Sequence, residues 1–521
     1  MPKHPFLPIT LLLTILGGCA SAPPDSPRSD VAAMLSERGY PTETADQETA
    51  VARWIDGLSE RPLTLDTAVR VALVNNPAVT AQYAQLGFSA ADVYDAGRLG
   101  NPVLSASFLV PDVGGAANQV GFGLAQSFTD LLLLSSRTRL ATGEYERVKR
   151  LIGARLLEIA ADTESAYIDL MSSAERQSMR EAIADAANAA AELARRYHAA
   201  GNISELELAL QEAAATEAGL EVLQARADVA EARATLNALL GLSATQADWK
   251  VAERLHSLPP ADDEVGALLS LADTSRLDLE AARRRILNLE DSLGVTRSTR
   301  LLGEIEAGVE TERETDRSRL TGPTLAVELP LFNRGRSRVA RAEAALQTAE
   351  ADLRGLEVDI GNTIVRTSAR LAAARGRVEH YRTSLIPLRE TIVLRTQEQT
   401  NYMLTDPFHL LQAKQQEYAA YAGYLEAVRD YWLARVELRR AVGAPLPSDA
   451  GLPSRPAAAE DLPGVSIPGE GRPGEALPRE DKPPEDRPRD VMPAEPQGHD
   501  AGHSGHRDGA EPIDHADHHG H

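Results

Sequence analysis

Two periods of apolar and polar positions run along this chain, and the whole series occurs twice. Leu63-Thr64-Leu65-Asp66 opens a helical stretch, with Thr64 or Asp66 as its cap. Asn75-Asn76-Pro77 interrupts it, and a second helix runs on to about Leu99. Two short segments then alternate with period two. In Val103–Val110, Leu104, Ala106, Phe108 and Val110 oppose Val103, Ser105, Ser107 and Leu109. In Val120–Phe128, Val120, Phe122 and Leu124 oppose Gly121, Gly123 and Ala125. Alternation over about nine residues predicts strands with one apolar and one polar face, of the length that crosses an outer membrane. No proline occurs from Asp112 to Leu258. A helix over 136–196 is therefore permitted, roughly 90 Å long at about 1.5 Å per residue. Gly201-Asn202 turns the chain, and a return helix over 203–240 ends at Gly241.

About 200 positions later the series returns, the mark of one structural unit used twice. Leu124–Phe128 with Arg137–Arg139 lines up with Leu325–Leu329 and Arg338–Ala340, and Tyr197–Ile203 lines up with Tyr402–Phe408. Strands are expected near 303–310 and 322–331. Ile305, Ala307 and Val309 alternate with Glu304, Glu306, Gly308 and Glu310, and Leu325, Val327 and Leu329 with Thr324, Ala326 and Glu328. Charged or Gly-containing loops, Asp112–Asn118 and Thr311–Arg319, join each pair. Long helices are expected over 335–399, bent or locally unwound at Pro387, and over 407–442. The units are then 63–242 and 263–443, with a linker over 243–262.

The ends differ from this body. Lys3 and His4 precede an apolar run, Phe6–Ile15, too short to span a bilayer as a helix and predicted to be a signal peptide over 1–18. Leu16-Gly17-Gly18-Cys19 resembles the bacterial lipobox, which implies cleavage before Cys19 and its acylation, palmitate included. Ala20 after the cysteine resembles lipoproteins sent to the outer membrane. Residues 19–62 are then a lipidated leader, polar and extended. Cys19 is the single cysteine, so no disulfide forms within the chain. Residues 444–521 hold 14 of the 31 prolines and predict a disordered acidic tail. Seven of the 12 histidines, His499, His503, His506, His515, His518, His519 and His521, lie at its end among aspartates. Imidazole with carboxylate suits transient copper or zinc binding. No resident cofactor is called for.

The net charge of −22 argues against nucleic acid as a partner. Aromatic residues make up only 4% of the chain, which suits long helices better than a compact core. Gly121-Phe122-Gly123 lacks a third glycine and falls in a strand, so it is no dinucleotide loop. Neither Gly-x-Ser-x-Gly, His-Glu-x-x-His nor a Walker segment occurs, and no enzyme is expected. His198, His256, His380 and His409 are scattered and predict solvated positions.

Four strands cannot close a barrel, and an open edge in lipid strands backbone groups at several kcal/mol each, roughly, so the chain must oligomerise. Two copies supply eight strands and three supply twelve. Here the sequence reaches a known family. Gly322-Pro323-Thr324-Leu325-Ala326-Val327-Glu328-Leu329-Pro330-Leu331-Phe332-Asn333-Arg334-Gly335-Arg336 resembles the strand-to-helix passage of TolC-type outer-membrane efflux proteins. Leu63–Pro77 and Tyr197–Glu205 resemble that family's opening helix and helical tip, and the match covers roughly 60–443. Ser135-Ser136-Arg137 in the first copy lacks the Pro-Leu-Phe and Gly-Arg elements of the second.

The resemblance implies a mainly α fold with transmembrane β: four strands and long α-barrel helices per chain, closing as a trimer with a twelve-strand β-barrel and an α-barrel. It also implies a Gram-negative outer membrane location, a periplasmic adaptor and a proton-driven inner-membrane pump. The acidic body and His-rich end look most like the heavy-metal branch, exporting copper or zinc, cobalt and cadmium. Drug-efflux and protein-secretion channels share the fold and remain alternatives. A lipid-anchored periplasmic coiled-coil scaffold without a pore is a further one, against which the alternating hairpins count. With the apolar strand faces toward lipid, Glu304, Glu306, Glu310 and Glu328 line the pore. Gly201, Asn202, Asp406 and Pro407 form the periplasmic tip that meets the adaptor.

Overall fold

The computed structural model describes residues 27–40, 62–112, 117–246, 249–251, 258–332 and 334–451, with Val51, Ile55 and Gly57. Each half of the chain begins with two short helices: α2 (Leu65–Asn75) and α3 (Pro77–Ala96) in the first, α6 (Val265–Ser275) and α7 (Leu277–Ser298) in the second. A hairpin follows, β1 (Val103–Leu109) with β2 (Gln119–Ser127), then β3 (Ile305–Arg313) with β4 (Arg319–Val327). The long helix α4 (Phe128–Ala199) and its return α5 (Glu205–Leu240) answer α8 (Arg336–His380), α9 (Ile386–Asn401) and α10 (Pro407–Val442). α4 has 72 residues, roughly 110 Å of helix.

The four strands form one antiparallel sheet in the order β1-β2-β3-β4, so β2 and β3 pair across the two halves. Among the described residues both outer strands keep an open edge. Each half has its own apolar core where its short helices cover the long helix and the end of the return helix. Val71, Leu86, Leu156, Leu170 and Leu240 belong to the first, and Leu268, Leu279, Ile364, Leu371 and Leu438 to the second. Toward the tip, α4 and α5 meet through Ala184, Ala187, Ala191, Ala215 and Ala218, small residues that let two helices lie close over a long distance. Between halves, Arg439 and Arg440 of α10 pair with Glu164 and Asp162 of α4.

Several boundaries differ from those the sequence suggests. The leader is not extended throughout: α1 (Pro27–Glu37) is a helix. Val31 and Leu35, four apart, are fully buried, and Asp30 reaches buried Lys149 at 2.9 Å. One apolar pair on a single face is enough to dock a helix, though too sparse to stand out in a polar segment. α4 starts at Phe128, eight residues before the expected 136, because Ser127 caps it directly from the strand by accepting from Asp130 N–H at 3.3 Å. β3 runs on through Thr311 to Arg313, and β4 begins at Arg319 and ends at Val327. The facing Thr311 and Thr321 hydroxyls lie 2.9 Å apart and prolong the pairing, while Glu314 N–H donates to Ser318 C=O at 2.9 Å to close the turn.

Pro387 acts as expected. A π-helical turn, Tyr381–Leu385, precedes it, and Ile386 N–H reaches back to Tyr381 C=O. The wider turn accommodates a residue without N–H and relieves its ring from the carbonyl four residues back. At the tip, the pairing of Tyr197 with Tyr402 is corrected by three positions. Gly201 N–H bonds His198 C=O and Asn202 N–H bonds Tyr197 C=O; Met403 and Leu404 make the same bonds to Thr400 and Gln399. Gly201 is therefore matched by Met403, with φ of 75° and 57°. Ser204 and Asp406 are the matched caps.

Candidate functional site

The pairing register sorts the strand residues into two faces. Residues directly opposite share a face, so Leu104 with Leu124 and Val309, and Phe122 with Thr311, lie on one side. Ala307 with Leu325 and Ile305 with Val327 continue it, giving an apolar face across all four strands. The opposite face carries Ser105 and Ser107 on β1, Gly121, Gly123, Ala125 and Ser127 on β2, and Glu306, Glu310 and Glu312 on β3. Glu310 sits between Gly123 on one side and Gly322 on the other. With no side chain beside it in either strand, its carboxylate stands clear of the sheet. Glu304 and Glu328 lie just beyond the strand ends. Glu328 N–H donates to Glu304 C=O at 2.8 Å, and the Glu328 carboxylate accepts from Glu304 N–H at 3.2 Å. They extend the register by one pair onto the polar face.

Glu312 was missed by the sequence reading, which placed Thr311–Arg319 in the loop. Gln119 of β2 donates its side-chain amide to this carboxylate across the sheet. The signal was present, since the period-two series through Glu304, Glu306 and Glu310 meets Glu312 two residues on.

At the far end of the helices the two turns come together. The Tyr197 and Phe408 rings meet edge to face with centroids 6.0 Å apart. Asp406 accepts from Phe408 N–H at 2.8 Å and His409 N–H at 3.1 Å, and its second oxygen faces His409 Nδ1 at 3.0 Å. It is a helix cap with Pro407 in the first turn, as Ser204 is through its reciprocal bond with Glu207. Tyr402, Met403 and Leu404 are 78, 94 and 76% exposed, an apolar cluster on the second turn that the four residues singled out beforehand do not include. The signal was the run Tyr402-Met403-Leu404 in a turn, where polar residues are usual.

Other expected residues are not gathered. His198 lies beside Ile203 C=O at 3.2 Å, His409 beside Asp406, and His380 ends α8. Among the described residues no group of His, Cys, Asp and Glu could hold a metal ion. Cys19, His256 and the seven histidines from His499 to His521 lie outside the described residues. No helix among the described residues is long and apolar enough to cross a membrane.

The profile of one family, described as "Outer membrane efflux protein", matches residues 68–242 and 268–444. The chain belongs to the outer membrane efflux protein family. Its two matches take in the short helices, hairpin and long helices of each half. The cobalt-zinc-cadmium resistance protein CzcC of Cupriavidus metallidurans is 24% identical over 332 residues, 63% of this chain and 77% of that protein. Among solved structures, the CmeC outer membrane channel of Campylobacter jejuni superposes with a TM-score of 0.62 at 15% identity, over 73% of this chain and 85% of that one. The outer membrane protein VceC of Vibrio cholerae does so with a TM-score of 0.59 at 19% identity, over 73% and 96%. The protein is therefore an outer-membrane efflux channel of the TolC type, mostly helical with a membrane sheet.

Proposed function

We propose that three copies close a twelve-strand barrel continuous with a helical tube, and that this channel discharges divalent heavy-metal cations such as zinc, cobalt, cadmium or copper. The carrying observation is the sheet register. It puts Glu306, Glu310 and Glu312 on one face beside a row of glycine, alanine and serine, and Glu304 with Glu328 at its foot. With the apolar face toward lipid, threefold repetition stacks carboxylate rings in the lumen, which favours cations. Open edges on β1 and β4 demand a partner strand, and β4 of one copy with β1 of the next supplies it. The likeness to CzcC favours metal over drug or protein cargo, and the strands and family favour a channel over a scaffold.

In planar bilayers the pore should prefer cations, and the combined Glu306→Gln, Glu310→Gln, Glu312→Gln variant should lose most of that preference. An anion-selective wild type, or a variant with unchanged reversal potential, rejects the register's lumen face. The cargo is tested separately by zinc, cobalt, cadmium and copper resistance in a deletion strain carrying the gene; resistance to drugs alone moves the assignment to drug efflux.

Three further parts belong to this reading. Acylation at Cys19 anchors the N-terminus; an unmodified cysteine in the mature protein's mass spectrum removes the anchor. The tip, with Gly201, Asn202, Asp406 and Pro407, docks a periplasmic adaptor that links the channel to an inner-membrane, proton-driven pump. Normal resistance in Gly201→Trp removes that docking site. The histidines from His499 to His521 hold copper or zinc transiently near the pump; equal metal titration after truncation at Gly443 removes that role.

A further inference from the structure

Between β4 and α8 the second half departs from the first. In the first half, β2 passes into α4 without a linker, and the nearby arginines are neutralised: Arg137 pairs with Asp130 at 2.9 Å and Arg139 with Asp291 at 3.3 Å. In the second half, residues 329–332 lie past the sheet before the helix begins at Arg336. There Arg300, Arg334 and Arg336 line a cavity of about 450 Å³ together with Leu301, Leu329 and Leu331. Among the described residues no carboxylate lines it. Among the described residues none of the three arginines has an ion-pair partner.

The backbone builds this cluster. Arg334 and Gly335 both adopt left-handed conformations, with φ of 47° and 68°. A Cβ at Gly335 would collide with the Arg300 backbone, so only glycine lets the two segments touch. That contact brings Arg334 and Arg336 into one cavity with Arg300, and Arg338 donates to Arg300 C=O at 3.0 Å. Three unneutralised guanidinium groups have been brought together in a chain of net charge −22. Mutual repulsion makes such a cluster unfavourable unless an anion fills it.

The surroundings identify the anion. Leu325, Val327 and Leu329 continue the apolar face of the sheet down to the cavity, and Leu329, Leu331 and Phe332 are 66, 67 and 101% exposed. We infer that this cavity binds the phosphodiester headgroup of an anionic phospholipid in the periplasmic leaflet, with its acyl chains along the exposed leucines and Phe332. Guanidinium forks match phosphate oxygens in pairs, and the leucines match the glycerol backbone and the first methylenes. The inference rests on the proposed lipid-facing side of the sheet.

The test uses the full-length protein in nanodiscs of phosphatidylcholine with or without phosphatidylglycerol, with retained lipids counted by native mass spectrometry. Wild type should retain phosphatidylglycerol over phosphatidylcholine, and Arg300→Gln, Arg334→Gln, Arg336→Gln together should cut that preference at least about tenfold. Equal lipid preference in variant and wild type overturns the site. Displacement of the lipid by millimolar inorganic phosphate makes it a free-anion site and overturns the lipid reading. A variant that falls apart equally in both lipid mixtures shows that a neighbouring copy covers the cavity. A spin label at Leu325→Cys, read by oxygen accessibility, tests the lipid-facing side independently of the arginines.

Discussion

The two halves of this channel have the same elements in the same order, yet they are secured by different chemistry. In the first half the segment before α2 is tied to the long helix by a neutral bond, Tyr167 hydroxyl to Leu63 C=O at 2.8 Å. The second half ties the segment before α6 with Arg375, which bonds Asp262 at 2.6 and 2.7 Å and Pro259 C=O at 2.9 Å. Tyr431 adds a bond to Asp262 at 2.8 Å. The end of α5 is held by Asn75, which donates to the Leu240 and Gly241 carbonyls, and by Asn76, which donates to Leu239. At the end of α10 one guanidinium does this work, Arg276 donating to Ala441 C=O at 2.6 Å. The tie between short helices and helix end is the constant; amide or guanidinium is equally able to make it. A duplicated fold therefore preserves where its orphan carbonyls are met and lets the donor change.

The largest test of this contrast compares the two ties. Arg375→Leu should cost about 3 kcal/mol, because Asp262 is left partly buried without its partner. Tyr167→Phe, losing the neutral hydrogen bond to Leu63 C=O, should cost about 1 kcal/mol. Thermal unfolding of the purified protein reads both, and equal losses would erase the distinction.

Acid should also separate the halves. Burial pushes the Asp262 carboxyl up, but the hydrogen bonds of Arg375 and Tyr431 and the charges of Arg375 and Arg435 outweigh it and hold it below the usual range. A carboxyl depressed in the folded state adds stability above its unfolded value, near 3.8, and that stability is lost as pH falls through the lower folded value. The Tyr167 tie carries no charge and has no such dependence. Melting of Asp262→Asn should thus change less with acid than that of wild type, whereas Tyr167→Phe should keep the wild-type slope. Parallel slopes for all three proteins would assign the acid response to other carboxylates.

A smaller effect is expected where the long helices differ. α4 is continuous, while its counterpart carries the π turn before Pro387. Pro387→Ala permits ordinary helix there and should stabilise the tip by about 1 kcal/mol. Slower amide exchange over 381–388 is the readout, and unchanged exchange would mean that Tyr381 packed on Gly423, not proline, sets the turn. The smallest effects are reciprocal. Met403→Gly should gain up to about 1 kcal/mol by relieving a left-handed residue, and Gly201→Ala should lose about as much. No atom lies within 4 Å of a Cβ at Gly201, so the second change isolates backbone conformation. Effects of the same sign would show that contacts rather than φ govern the turns.

The periods alone made the repeats, the four alternating strands and the long helices legible, because burying one face of a strand or helix forces apolar residues into its spacing. The faces of the strands followed too, since parity does not depend on which strands pair. Strand ends did not follow, because Thr311, Glu312 and Arg313 extend β3 only when β2 and β4 offer partners. The tip was displaced by three residues since a tyrosine on each side gave a tempting match, whereas backbone hydrogen bonds pair Gly201 with Met403.

What the sequence by itself determined was periodicity and therefore the kind, order and duplication of elements. Those are local consequences of backbone geometry. Only the tertiary structure decided that Arg276 stands in for two asparagines, that α1 docks through Val31 and Leu35, and that Arg300, Arg334 and Arg336 share one cavity. Each of these depends on segments distant along the chain arriving at the same place, and no spacing within either segment records that meeting.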